Sequence, residues 1–182
     1  MQPRTFERTL CSAAVAVALV LAGTAASRAD FGGPPKKIDC SKPANKDKPA
    51  CQRKHGEPLS DDEIYNAAYW MAKRGQYREA LAVLAGAQNP DDPRILTATG
   101  FATRKLGQVD AALPYYHKAL AIDPSLVTTR EYLGEACLAK GDLAGAREQL
   151  AEIERRAGRA SETYAKLRAE IAAYEAGVRQ RS

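Results

Sequence analysis

The sequence lacks the residues and motifs that most enzymes need. It has two histidines in 182 residues, and it has no nucleophile-elbow, zinc-protease, phosphate-loop or dinucleotide-binding signature. Its paired carboxylates, Asp61-Asp62 and Asp91-Asp92, stand at predicted helix starts, where acidic side chains favour the positive end of the helix dipole. We therefore expect a protein that is not an enzyme and that binds no cofactor.

Long apolar runs are also scarce. The longest covers residues 10–23, and about 14 residues fall short of the ~20 that a membrane-spanning helix needs. Arg4 and Arg8 precede this run and small residues follow it, which is the order of a secretory signal. We expect residues 1–29 to be a cleaved signal peptide, with an uncleaved anchor as the alternative, and the mature protein to be periplasmic or secreted.

Residues 30–59 are rich in proline, glycine and lysine and poor in apolar side chains, which predicts an irregular arm. In an exported chain Cys40 and Cys51 are expected to form a disulfide. A metal site with His55 is the alternative, but a fourth ligand is missing and the cysteine spacing is not typical of zinc. The net charge of +5 is a mild excess without a nucleic-acid motif, so we expect no nucleic-acid partner.

The rest of the chain shows a repeat. Gly75, Gly107 and Gly141 recur about every 33 residues, each in a turn between two amphipathic segments. The best-defined copy has small, turn or large residues at Gly100, Gly107, Ala112, Tyr116, Ala119 and Pro124. On these residues the chain resembles the tetratricopeptide repeat family over roughly residues 60–153. The resemblance implies an all-α fold: a short solenoid of three helix-turn-helix repeats.

Local signals add detail to this domain, residues 60–182. Ser60 begins a capping box, and Trp70 with one neighbouring tyrosine is expected to anchor the core. Pro114 predicts a late start or a slight bend in its helix. Residues 161–178 carry one apolar stripe, so they are expected to form a helix that caps the open end of the stack.

The resemblance also implies a binding surface, because the first helix of each repeat lines the concave side in this family. The matching positions form a groove lined by Tyr65, Asn66, Tyr69, Arg94, Thr97, Phe101, Arg104, Lys105, Glu131, Tyr132 and Glu135. In this interpretation Arg94, Arg104 and Lys105 bind an acidic or C-terminal carboxylate segment. Apolar contact comes from Tyr65, Tyr69 and Phe101.

We therefore expect a protein–protein interaction or scaffold module of the cell envelope. Its groove would hold a peptide or another exported or membrane-associated protein. One alternative is a structural protein that associates only with itself. A weaker one is a metal or redox protein built on Cys40, Cys51 and His55.

Overall fold

The computed structural model describes residues 41–45 and 58–179. The expected signal peptide, Cys40, Cys51 and His55 lie outside these residues. Within them the chain forms a short 3-10 turn, Pro43–Asn45, and seven α-helices, without a β-strand. The helices are α1 Asp61–Lys73, α2 Tyr77–Leu84, α3 Pro93–Lys105, α4 Val109–Ile122, α5 Val127–Ala139, α6 Leu143–Ala157 and α7 Glu162–Arg179.

The helices pack in two rows. Neighbours in sequence form the hairpins α1/α2, α3/α4 and α5/α6, and α2 packs on α3 as α4 packs on α5. The odd-numbered helices α1, α3, α5 and α7 also contact one another in that order, and we call them the odd-helix row. Helix α7 packs against both α5 and α6, so it covers the end of the stack.

The three hairpins share one turn geometry. Gly75, Gly107 and Gly141 adopt φ values of 75°, 83° and 79°, which side chains rarely tolerate. After each glycine, the next backbone N–H donates to a carbonyl five residues earlier, as in Gln76 N to Met71 O at 2.9 Å. This is the hydrogen bond of a Schellman helix end. Because this hydrogen bond recurs, the chain enters the second helix of each hairpin with the same backbone geometry.

Capping residues set the helix starts. The backbone N–H of Ser60 donates to Glu63 Oε2 at 3.0 Å in the predicted capping box. The Asp92 carboxylate accepts from Arg94 N at 2.8 Å, and that of Asp142 accepts from Gly145 N at 2.9 Å. Helix α4 begins at Val109 and runs through Pro114, so the expected late start is wrong. Pro114 is the sixth residue of this helix, so the bond that its missing N–H would donate to the Asp110 carbonyl is lost, yet the helix continues to Ile122.

The core has one main cluster at each end of the stack. Tyr116, Leu133, Ile153 and Leu167 are fully buried where α4 to α7 meet. The other cluster joins α1, α2 and α3. The expectation for Trp70 is wrong: its residue is 37% exposed, whereas Tyr69 beside it is 3% exposed. Helix α1 is the first of the odd-helix row, and among the described helices its main contacts are with α2 and α3.

Two glycines allow the closest contacts between helices. A Cβ atom on Gly100 would lie 2.7 Å from Cε1 of Tyr116, and one on Gly134 would lie 2.6 Å from Cδ2 of Leu167. Both distances are far below ordinary contact, so the neighbour would have to move. Gly100 brings together the helices of one hairpin, whereas Gly134 lets α7 approach α5.

Gly134→Ala tests this close approach. We expect the free energy of unfolding to fall by about 1–3 kcal/mol, because overpacking at Leu167 exceeds the gain in helix propensity. Urea titration of Gly134→Ala, Leu167→Ala and the double variant would show less loss in the double variant than the sum of the singles. Strict additivity would mean that the two residues do not share this contact.

Candidate functional site

Aromatic side chains form a continuous group across the odd-helix row. The ring centroids of Phe101 and Tyr132, on α3 and α5, lie 4.7 Å apart. Tyr77 lies 6.1 Å from Phe101, and Tyr116 lies 6.3 Å from Tyr132. Phe101 and Tyr132 are both half-buried residues. We call these two residues the aromatic pair.

Arg104 lies over the aromatic pair. Its guanidinium carbon is 5.8 Å from the Phe101 centroid and 5.7 Å from the Tyr132 centroid. One of its nitrogens makes an ion pair with Glu135 Oε2 at 2.5 Å, and its Nε donates to Tyr116 Oη at 3.4 Å. Burial lowers the pKa of Arg104, but Tyr116 and Glu135 outweigh this and raise it. Arg104 therefore stays charged and joins α3, α4 and α5.

Arg94 is also paired within the protein. Its guanidinium contacts Asp62 at 2.6 Å and Asp92 at 2.7 Å, and it lies 5.6 Å from the Tyr65 centroid. An incoming carboxylate would have to displace these partners. The acid-binding role expected for Arg94 and Arg104 is therefore weakened by the pairing of both residues.

Two lysines remain available on the same row. Lys105 Nζ lies 5.5 Å from the Phe101 centroid, and Lys73 Nζ lies 5.3 Å from the Tyr69 centroid. Both lysines are exposed, and within the described part of the chain neither forms an ion pair. They occupy equivalent positions of consecutive hairpins. The sequence analysis included Lys105 and missed Lys73, which the repeat spacing could have identified.

Other predicted groove residues lie deeper than expected. Thr97 is 3% exposed, and its hydroxyl bonds to Thr129 Oγ1 at 2.8 Å and to Pro93 O at 2.7 Å. It belongs to the seam between α3 and α5. Tyr65 and Tyr69 are buried in the core cluster that joins α1, α2 and α3, and Asn66 is half-buried on α1. The structure thus brings together Phe101, Arg104, Lys105, Tyr132 and Glu135, with Tyr65 and Arg94 in a separate contact.

Glu131 is the most perturbed carboxyl group of the row. Its residue is 4% exposed, and burial raises its pKa to about 7; Lys166 and Arg104 oppose this rise, whereas Glu135 and Glu162 add to it. The charges that act on it are Lys166 and Glu162 of α7, Glu135 of α5 and Arg104 of α3. All of them belong to the odd-helix row. Glu135 lies one helical turn from Glu131 on α5 and pairs with Arg104, which lies over the aromatic pair.

Metal-binding and membrane-spanning features are both absent from the described part of the chain. In residues 41–45 and 58–179, no group of three histidine, cysteine, aspartate or glutamate side chains is arranged to hold a metal ion. Among the same residues, no helix combines the length and apolar character needed to cross a membrane.

A comparison with protein-family models gives a match over part of the chain. A family model described as tetratricopeptide repeat matches residues 104–171, from the end of α3 into α7. The match spans 68 of the 182 residues, so it supports this repeat type over less than half of the chain. This confirms the resemblance seen in the sequence. No curated protein matches the chain.

Solved structures show the same fold. The Yersinia enterocolitica type III secretion chaperone SycD, in complex with a peptide of the translocator YopD, is 20% identical with a TM-score of 0.53. The match covers 66% of this chain and 92% of that one. A second structure of SycD, described as a type III secretion translocator chaperone, is 21% identical with a TM-score of 0.54 and covers 65% and 85%. At this identity the likeness concerns the fold.

The raised pKa of Glu131 predicts how stability depends on pH. The folded state binds its proton more tightly than the unfolded state, so this group favours folding at low pH. That contribution is lost as pH rises from about 4.5 to about 7. Glu131→Gln should therefore raise the free energy of unfolding at pH 8 by about 1–2 kcal/mol and change it little at pH 4.5.

The measurement is urea unfolding of both proteins between pH 4.5 and pH 8. Asp92 and Glu152 have lowered pKa values, so their opposite contributions are lost only at more acidic pH. Because they are common to both proteins, they cancel in the difference. If the free energy of unfolding changes equally with pH in the two proteins over this window, Glu131 does not titrate as described.

Proposed function

We propose that this chain is a protein-binding scaffold of three tetratricopeptide repeats and a capping helix, which holds a segment of a partner protein along the odd-helix row. The observation that carries the proposal is the aromatic pair. Phe101 and Tyr132 come from different hairpins, their ring centroids lie 4.7 Å apart, and both residues are only half-buried. Large aromatic side chains in such positions are typical anchors of protein interfaces.

The surroundings of the aromatic pair fit a polypeptide ligand. Arg104 holds the pair between α3 and α5 through Tyr116 and Glu135, so the apolar surface is preorganised. Lys73 and Lys105 offer unpaired charge at its edge. A partner segment would gain apolar contact from the rings and polar contact from the charges around them.

A solved relative of the same fold supports this choice of ligand. The SycD structure contains a peptide of another protein, YopD, bound to the chaperone. The shared fold makes a peptide a reasonable ligand for this chain as well. We propose the function on the site and the fold together, because a fold alone accommodates many functions.

Site-specific crosslinking tests the proposed surface. A photoreactive phenylalanine analogue at Phe101 should capture a partner segment, whereas the same analogue at Tyr115, 37% exposed on α4, should not. Capture at both positions, or only at Tyr115, would place the interface elsewhere. Capture of a second copy at Tyr115 would favour the self-associating structural protein.

Binding of the captured segment gives the energetic test. Phe101→Ala should weaken its affinity by at least tenfold, about 1.4 kcal/mol, because the substitution removes half of the aromatic pair. Tyr115→Ala serves as the matched control and should leave the affinity unchanged. Fluorescence anisotropy with a labelled segment measures both. Equal affinities for the three proteins would exclude the aromatic pair as the anchor.

We further propose that the protein works in the cell envelope. The support is the sequence pattern of residues 1–29, followed by the two cysteines of the arm. Protein purified from its native host should begin after residue 26 or residue 29. Its Cys40 and Cys51 should be joined in one tryptic species that separates on reduction. An intact N-terminus would contradict cleavage of residues 1–29. Freely alkylated Cys40 and Cys51 would contradict the disulfide.

A further inference from the structure

Glu131 is a buried carboxyl group without a direct partner. Its residue is 4% exposed, yet within the described residues it has neither a hydrogen bond nor a cation at ion-pair distance. Its carboxylate oxygens are not among the fully buried side-chain atoms that lack a hydrogen bond in the described residues, so they keep some contact with solvent.

The neighbouring charges are already paired with each other. Arg104 pairs with Glu135 at 2.5 Å, and Lys166 pairs with Glu162 at 2.7 Å. Both cations attract Glu131 from a longer distance, and both glutamates repel it. These pairs leave the negative charge of Glu131 uncompensated when it is ionised.

An ionised carboxylate without a partner in this buried position lowers the stability of the folded protein. Removing a charged group from water is unfavourable unless a partner replaces the lost hydration. In the free protein the group avoids part of this cost by binding a proton, since its pKa is raised to about 7. A cation delivered by a ligand would stabilise the ionised form instead.

The aromatic pair makes a cation the suitable ligand. Tyr132 follows Glu131 on α5, and the two side chains interact electrostatically. Ring faces in this region already attract guanidinium and ammonium groups, as Arg104 and Lys105 show. A cation beside Glu131 would gain both the carboxylate and the ring.

We propose that Glu131 forms a subsite for an arginine or lysine side chain of the bound segment, an inference that rests on the proposed function. The partner segment then combines an apolar residue for the aromatic pair with a basic residue for Glu131. This differs from the acidic segment expected from sequence, because Arg94 and Arg104 are paired internally and Glu131 is not. Binding releases a proton below pH 7, so affinity rises with pH.

The first test observes the carboxyl group directly. In the full mature chain with carbon-13 in its glutamate carboxyl groups, the Glu131 signal is assigned by its loss in Glu131→Gln. With saturating N-acetylarginine methylamide the pKa of Glu131 should fall by about one unit, which corresponds to tenfold tighter binding to the ionised form. The neutral isostere N-acetylcitrulline methylamide should leave it unchanged. An equal effect of both compounds, or of neither, overturns the subsite.

A matched variant distinguishes a specific site at Glu131 from a general effect of the negative charges in this cluster. Glu162→Gln removes one carboxylate from the same cluster, but Glu162 is exposed and already paired with Lys166. The arginine compound should still shift the Glu131 signal in this variant. Loss of the response in Glu162→Gln would assign the effect to the overall negative potential and overturn the specific role of Glu131.

The second test uses peptides. Nonapeptide libraries with random flanks and a fixed central arginine, lysine, norleucine or glutamate are compared on an array. Arginine and lysine should bind at least tenfold more tightly than norleucine at pH 8, and Glu131→Gln should remove this preference. Peptide binding without a preference refutes the subsite and retains the proposed function. An arginine-dependent shift of Glu131 without any peptide binding supports the cation site and refutes the proposed function.

Discussion

The close approach of neighbouring helices at glycine is the constraint on which the rest of the structure depends. Gly100 admits the ring of Tyr116 and Gly134 admits the side chain of Leu167, with no room for a Cβ atom at either position. The first contact sets the distance between α3 and α4, and the second sets the distance between α5 and α7. Because Tyr116 is held at Gly100, its hydroxyl is placed to accept from Arg104. Packing between the helices thus determines where the polar groups of the odd-helix row can meet.

The pairing of charges then decides what kind of surface this row presents. The arginines Arg94 and Arg104 of α3 form ion pairs within the protein. Arg94 pairs with Asp62 and Asp92, and Arg104 pairs with Glu135. These pairs hold α1, α3 and α5 in register, and they leave a partly exposed aromatic pair between them. The two arginines therefore add little free positive charge to this surface, and the exposed Lys73 and Lys105 carry what remains. Net charge gives little information about a groove whose charged residues contact one another.

The sequence predicts those features that follow from local rules. The turn glycines, the capping box at Ser60 and the period of the repeat each depend on residues close in the chain, and the structure shows all three. Trp70 and the arginine pairs depend on tertiary neighbours, which local patterns do not contain. A further rule was available, because residues one repeat apart become lateral neighbours in the odd-helix row. Asp62 with Arg94 and Thr97 with Thr129 are both separated by 32 residues.

The buried carboxyl group of Glu131 is a feature of the odd-helix row that the stability of the fold does not explain. The same one-repeat rule relates it to the start of α7, where Lys166 is engaged by Glu162 and does not reach ion-pair distance of Glu131. An apolar residue at this position would avoid burying a charge. A carboxyl group here lowers the stability of the free protein above its pKa and gives the surface a charge that only an outside cation can match. Features that oppose stability in an otherwise consistent fold are expected where a protein binds its ligand. Glu131 and the aromatic pair, which both belong to the odd-helix row, therefore define one site with two different contacts.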